Sequence, residues 1–319
     1  MPDEPRTAPS DPIQAIFSDQ VLARLNSRPH KSSRLADRLA ILSAHGGRAL
    51  ILARRQAWAN YLGEAFMLGL FDDPHGSDLR ARLTGVDDNA FHSALKECMI
   101  GWVLSCKLGL DVLPRPEGRP GCVLEYLIRH GSDEIRVEVK APYHAFAIKG
   151  AWGGDSSDLL AGCIDQANSQ FEQDVPNLLA LAPELGMPVY RWRHQLIEAF
   201  YGKEVITVPL DMMTGVPAGP TAVQFRPDGR FLRRRTPRGA LFKPDGTPAY
   251  TRVGAVLCVE ESDDARGNVE HIILLAHNPY AAIPITRALW GPIPQLIDVG
   301  DDRSIEMVWT DSPPSADHT

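Results

Sequence analysis

Between Pro12 and about Phe71 the apolar residues recur three and four positions apart, as in "RLADRLAILSAHGGRALILARRQAWANYLGEAFMLGLF". That period predicts about three amphipathic helices, interrupted by "HGG" at 45–47 and closed by "DDPHG" at 72–76. The same spacing runs through "DDNAFHSALKECMIGWVLSCKLG" and sets Phe91, Leu95, Cys98, Trp102 and Cys106 on one buried stripe, with Glu97 beside it. Asp88 or Asn89 stands near the cap of this helix and Gly109 near its end. The period then shortens. "LDVLP" reads as a strand, the Pro/Gly-rich "RPEGRPG" as a loop, and "CVLEYLIR" and "EIRVEVKAP" as a hairpin closed by a short turn. "SSDLLAGCIDQANSQFEQD" is an amphipathic helix, "PNLLALAP" a short buried strand and "RHQLIEAFYG" another helix. Strands "TAVQF", "RVGAVLCVEES" and "HIILLAHNP" follow.

This order predicts an α/β sandwich around a mixed sheet. The expected boundaries are a disordered tail at 1–11, a helical region at 12–86, an α/β domain at 87–309 and a disordered tail at 310–319.

Composition narrows the setting without naming a chemistry. At 319 residues, with 44% hydrophobic and 23% charged, the chain can bury a sizeable core. A net charge of −7 gives no global positive field for nucleic acid, which leaves room only for a local basic groove. The five cysteines form no C-x-x-C pair and sit mostly in apolar runs, as reduced thiols do. "MPDEPRTAPSDP" has no secretory pattern, and "CMIGWVLSCKLGLDV" is too short to span a bilayer. A cytoplasmic protein is expected.

The hairpin carries the chemistry. Residues two apart on a strand share a face, so Arg136, Glu138 and Lys140 point one way and Ile135, Val137 and Val139 the other. A turn centred near Ser132 and Asp133 brings Glu125 roughly opposite Glu138 or Lys140; a slip of one residue separates them. Two carboxylates and a backbone carbonyl offer hard oxygen ligands for Mg²⁺ or Mn²⁺. Such an ion acidifies water and neutralises charge on a phosphate, while Lys140 orients the water. Most E-x-K pairs on strands, however, are solvated ion pairs worth little.

The arrangement is similar to the PD-(D/E)xK, or restriction-endonuclease-like, superfamily of nucleases. The matching parts are Glu97 on the helix "SALKECM", the strand "LDVLP", Glu138-x-Lys140 in "VEVKAP", and the helix "GCIDQANSQF" with Gln166 and Gln170, followed by "PNLLAL". The likeness covers about residues 88–290. It implies metal-dependent hydrolysis of nucleic acid, DNA in the first instance, with Glu138, Lys140, Glu125, Glu97 and Gln170 in the active site and the metal on Glu125 and Glu138. The family aspartate falls at Gly121 here, in "RPGC". Either the acid has moved to Glu125, or the site has lost a ligand and the protein binds nucleic acid or assembles without cleaving it. Asp111 or Glu117 could serve only if the loop folds back.

Arg230, Arg233, Arg234, Arg235, Arg238 and Lys243 crowd "GRFLRRRTPRGALFK" in an otherwise acidic chain. Phosphate contacts, chiefly from Arg233, Arg234, Arg235 and Arg238, are one reading, and a solvated loop is the other. His92, His130 and His144 have no partners at zinc spacing, "HNPYA" reads as a structural turn, and the glycines of "KGAWGGDSSD" lack the G-K-[ST] of a P-loop. No G-x-S-x-G elbow is present. The N-terminal helices are candidates for contact with a second copy or a protein partner, and no membrane partner is expected.

Overall fold

The structure, a computed structural model, describes residues 6–28, 33–44, 48–72, 75–116, 122–131, 133–142, 156–183, 203–207, 222–226, 250–263, 266–298 and 307–310. Four helices, not three, precede the "DDPHG" break: α1 (Pro12–Ile16), α2 (Asp19–Asn26), α3 (Ser33–Leu42) and α4 (Ala49–Met67). Local chemistry starts the first two. The Asp11 carboxylate accepts the Gln14 N–H at 3.0 Å, with Pro12 where a missing N–H costs nothing, and Ser18 opens α2. Ahead of α1, Arg6 pairs with Asp72 at 2.7 Å. A fifth helix, α5 (Gly76–Thr84), follows the break.

Next comes α6 (Asp88–Trp102), capped one residue earlier than the sequence suggested: the Asp87 carboxylate accepts the N–H groups of Asn89 and Ala90. Phe91, Leu95 and Cys98 are buried as the stripe requires, but Trp102 is half-buried and Cys106 exposed. The cause is a π-helical turn at Val103–Lys107, where Leu108 N donates to Val103 O. The extra residue in that turn rotates Cys106 off the stripe.

The sheet has eight strands: β1 (Asp111–Pro114), β2 (Tyr126–His130), β3 (Asp133–Lys140), β4 (Asn177–Leu181), β7 (Ala255–Asp263), β8 (Val269–His277), β9 (Gln295–Asp298) and β10 (Met307–Thr310), in that spatial order. The first three are antiparallel; β4 runs parallel to both β3 and β7, after α7 (Ser156–Gln170) carries the chain across. β4, "NLLAL", is buried throughout, as a central parallel strand must be. β5 (Lys203–Thr207) and β6 (Ala222–Arg226) form a separate hairpin. The sequence reading missed β5, β9 and β10, and the helix expected at "RHQLIEAFYG" lies outside the described residues.

The two faces of the sheet are covered unequally. The helical region packs on one face and shares a single core with it, from Ile13 through Trp58, Phe91 and Val137 to Leu257. On the other face α7 lays Leu160, Cys163, Ile164, Ala167 and Phe171 over Leu179, Leu181, Val256 and Cys258. Beyond β8, "HNPYA" is the structural turn expected: the Asn278 amide donates to Tyr250 O and Val253 O, at 2.7 and 2.8 Å. The chain is thus an α/β protein, a helical N-terminal region followed by a mixed sheet. No helix among the described residues is long and apolar enough to cross a membrane.

Candidate active site

The β2–β3 hairpin closes through two residues between His130 and Asp133, one position earlier than the turn inferred from sequence. Gly131 takes φ +62°, a conformation two-residue hairpins need and side chains resist. The shift chooses Glu125's partner. Tyr126 lies opposite Val137, the last pair of the ladder, which leaves Glu125 beside Glu138 rather than Lys140. The main chain leaves the regular register there: Glu125 N donates to Val137 O at 3.2 Å, the residue Tyr126 already faces, and Arg115 N donates to Glu125 O at 2.8 Å.

Glu138 and Lys140 lie beside Leu179 and Leu181 of β4, and so face α7. Glu125 turns its carboxylate the same way, where Oε2 accepts the Val139 N–H at 2.8 Å. Glu138 is only 2% exposed; its Oε1 accepts from the Lys140 ammonium, while its buried Oε2 meets no donor among the described residues. Burial pushes the Glu125 carboxyl well above the usual carboxylate range, and the negative charges of Glu138 and Glu97 push it further. The Val139 N–H works against that rise.

α7 closes the site from above. Burial pushes the Cys163 thiol up to about 11, with the Lys140 charge pulling it down, so this turn of α7 overlies Lys140. Nine residues further on, just past the end of α7, Glu172 pairs with Arg136. Gln170 therefore lies toward the Arg136 end; its Oε1 is buried with no hydrogen-bond partner among the described residues. Gln166 is exposed.

Glu97 approaches from α6 but is already engaged. Its carboxylate takes both terminal nitrogens of Arg82, at 2.5 and 2.9 Å, and Arg82 Nε reaches Asp78 at 2.8 Å. Its main-chain carbonyl accepts from the Tyr126 hydroxyl at 2.7 Å. That bond needs Gly101, because a Cβ there would lie 2.6 Å from the same hydroxyl oxygen. Asp111 is exposed at the start of β1, opposite Arg129. Glu117, Gly121, Arg230, Arg233, Arg234, Arg235, Arg238 and Lys243 lie outside the described residues.

The structure thus gathers Glu125, Glu138 and Lys140, leaves Glu97 on Arg82, and has Gln170 at the end of α7, near the Glu172–Arg136 pair. Among the described residues no group of three or more His, Cys, Asp or Glu could hold a metal. The fit of a cation is instead that of two carboxylates. Glu138 shares a hydrogen bond with the Glu125 carboxyl, which burial disfavours as an anion; a cation would replace the shared proton, and Mg²⁺ ordinarily completes its shell with water.

A second charged cluster escaped the sequence reading. Lys96, 7% exposed, donates to Glu261; Tyr61 donates to Glu261 at 2.8 Å and lies 2.5 Å from His271 Nε2. Burial and neighbouring cations lower His271 to about 4, against the pull of Glu261, so the ring is neutral. Burial raises Glu261, but Lys96, Tyr61 and His271 outweigh it and hold the carboxylate below its ordinary range. One signal was available: the charged pair that ends the apolar run in "VLCVEES".

Comparison with family models, curated proteins and solved structures found no match.

Proposed function

We propose that the protein is a metal-dependent nuclease that hydrolyses phosphodiester bonds, with DNA as the first substrate to test. The observation that carries this reading is the buried Glu138, set between the Glu125 carboxyl, with which it shares a hydrogen bond, and the Lys140 ammonium. Uncompensated buried carboxylates are costly unless a cation joins them. The order of parts supports a restriction-endonuclease-like assignment. A helix, α6, precedes three antiparallel strands, then α7 crosses to β4, parallel to β3, with Glu138-x-Lys140 on the third strand. Glu125 would take the part of the acid missing at Gly121.

Glu125 and Glu138 would hold Mg²⁺ or Mn²⁺, which when bound supplies charge neutralisation at the phosphate and acidifies water. Lys140 is placed to orient the attacking water and to donate to a phosphate oxygen as negative charge builds there. The Val139 N–H fixes the Glu125 carboxylate, and the main-chain ladder between β2 and β3 fixes its distance from Glu138. Arg82 keeps Glu97, a third negative charge, neutralised beside the pair.

The test is cleavage of plasmid, linear duplex, single-stranded DNA and RNA, with Mg²⁺, Mn²⁺ or EDTA. Cleavage that needs metal and disappears in both Lys140→Ala and Glu125→Gln is the expected result. Loss in Lys140→Ala alone would remove Glu125 from the site. No cleavage by the unaltered protein would turn the reading to a binding protein of the same fold.

A further inference from the structure

β1 ends at Pro114, and the residue after it takes a conformation that side chains resist. Arg115 has φ +50°, the one non-glycine residue at positive φ among those described. There the Cβ crowds the following carbonyl, which glycine would avoid. Two main-chain bonds hold the chain in this path: Arg115 N donates to Glu125 O at 2.8 Å, and Leu124 N donates to Pro116 O at 3.2 Å. Backbone strain that persists in this way clusters at active sites and ligand clamps.

The side chain shows what the strain holds in place. Arg115 is half-buried, and its Nε is buried with no acceptor among the described residues. None of the ion pairs among those residues includes it. Burial pushes the Cys98 thiol and the Tyr126 hydroxyl above their ordinary ranges, and the Arg115 charge pulls both back, so the guanidinium lies where α6 meets the hairpin. Glu97 acts on the same two groups and on Glu125, but both of its oxygens are already on Arg82. A buried N–H without an acceptor and a cation without a counter-ion both cost stability, and an incoming anion would relieve both. A guanidinium fork matches the oxygens of a phosphate.

The position suits the same substrate. The Arg115 backbone is one strand spacing from that of Glu125, and so roughly 10 Å from that of Glu138 at ~4.8 Å per strand. At ~3.4 Å of rise per nucleotide, a phosphate at Arg115 falls within about three nucleotides of one at the acids. We propose that Arg115 is a phosphate-binding residue, whose guanidinium grips the backbone of a nucleic-acid strand beside the Glu125 end of the hairpin. The identity of the anion rests on the nuclease reading.

Binding and stability, both measured without metal, test the contact independently of cleavage. Fluorescence anisotropy of a labelled single strand and a labelled duplex is followed across a salt series for the unaltered protein, Arg115→Gly and Arg115→Lys. Arg115→Gly should bind about tenfold more weakly. Its slope of log affinity against log salt should be shallower by about 0.9 on duplex and about 0.7 on the single strand. The same variant should melt about 2 °C higher, because glycine releases the strain at positive φ. Arg115→Lys keeps the charge and the strain, and should keep the salt slope and the melting temperature. An unchanged slope in Arg115→Gly, a lower melting temperature in that variant, or no binding by the unaltered protein would overturn the proposal. Cleavage is scored separately with Mg²⁺. A slope that falls in a protein that cleaves nothing would keep the phosphate contact and discard the nuclease. Cleavage by an Arg115→Gly variant that binds as the unaltered protein does would keep the nuclease and discard the contact.

Discussion

Among the described residues the sheet carries a charged cluster on either face, and the two are built on opposite rules. On the helical face Lys96, Glu261, Tyr61 and His271 satisfy one another: the carboxylate is matched by an ammonium, and a hydroxyl bonds both it and a neutral ring. On the α7 face one of two adjoining carboxyls takes the ammonium, and the other is held against it with its charge disfavoured by burial. A balanced buried network ties elements together; here it joins α4 and α6 to β7 and β8. An unbalanced one persists at a cost in stability, and that cost is the reason the hairpin is proposed as a binding site.

The contrast can be broken by substitution. Lys96→Met strands the Glu261 charge and should cost about 3–5 kcal/mol in urea unfolding at neutral pH, while Lys96→Met with Glu261→Gln should recover most of it. A small loss in the single variant would mean that water already screens the pair. Lys140→Ala should lower cleavage about 10²–10³-fold with the circular dichroism of the folded protein kept. Undiminished cleavage would remove Lys140 from the reaction.

Glu125→Gln should act in the other direction on stability. The folded-state pKa of Glu125 is raised, so the native protein holds a proton that the unfolded chain releases, and stability falls as pH rises from about 4.3 toward that folded pKa. Replacement by Gln should therefore stabilise the metal-free protein at neutral pH, on the order of 1 kcal/mol, with no gain below the ordinary carboxyl pKa. Mg²⁺ should raise the melting temperature of the unaltered protein and not of the variant. Equal Mg²⁺ response in both would place the ion elsewhere.

His271 gives the smallest effect. Its pKa is lowered to about 4 from 6.5, so the unfolded chain takes up the proton first and stability is lost as pH falls through that window. His271→Gln should flatten the acid limb of the melting curve between pH 6.5 and 4. An unchanged limb would show that the ring is solvated and outside the network.

Much of the architecture was legible because it depends on short periods. The alternation in "EIRVEVK" fixed which side chains of β3 share a face, and the continuous apolar run "NLLAL" announced a strand buried on both sides. Where longer-range packing decided, the reading slipped. Cys106 left its stripe because of a π-helical turn, and Lys96 and Glu97, apparently a charged edge of α6, are buried because α4, α5 and the sheet surround that helix. Their partners, Glu261 and Arg82, are 165 and 15 residues away. No local pattern predicts such a pairing.

The sequence by itself determined the pair Glu138 and Lys140, since a strand's two-residue repeat puts them on one face whatever surrounds them. The tertiary structure decided what the pair can do. A hairpin of two loop residues, permitted by Gly131 at positive φ, set Glu125 against Glu138 instead of Lys140, and Glu138 is buried on the face that α7 covers. Register and burial are properties of the packed sheet, and a carboxylate becomes short of a cation only after water has been taken from it.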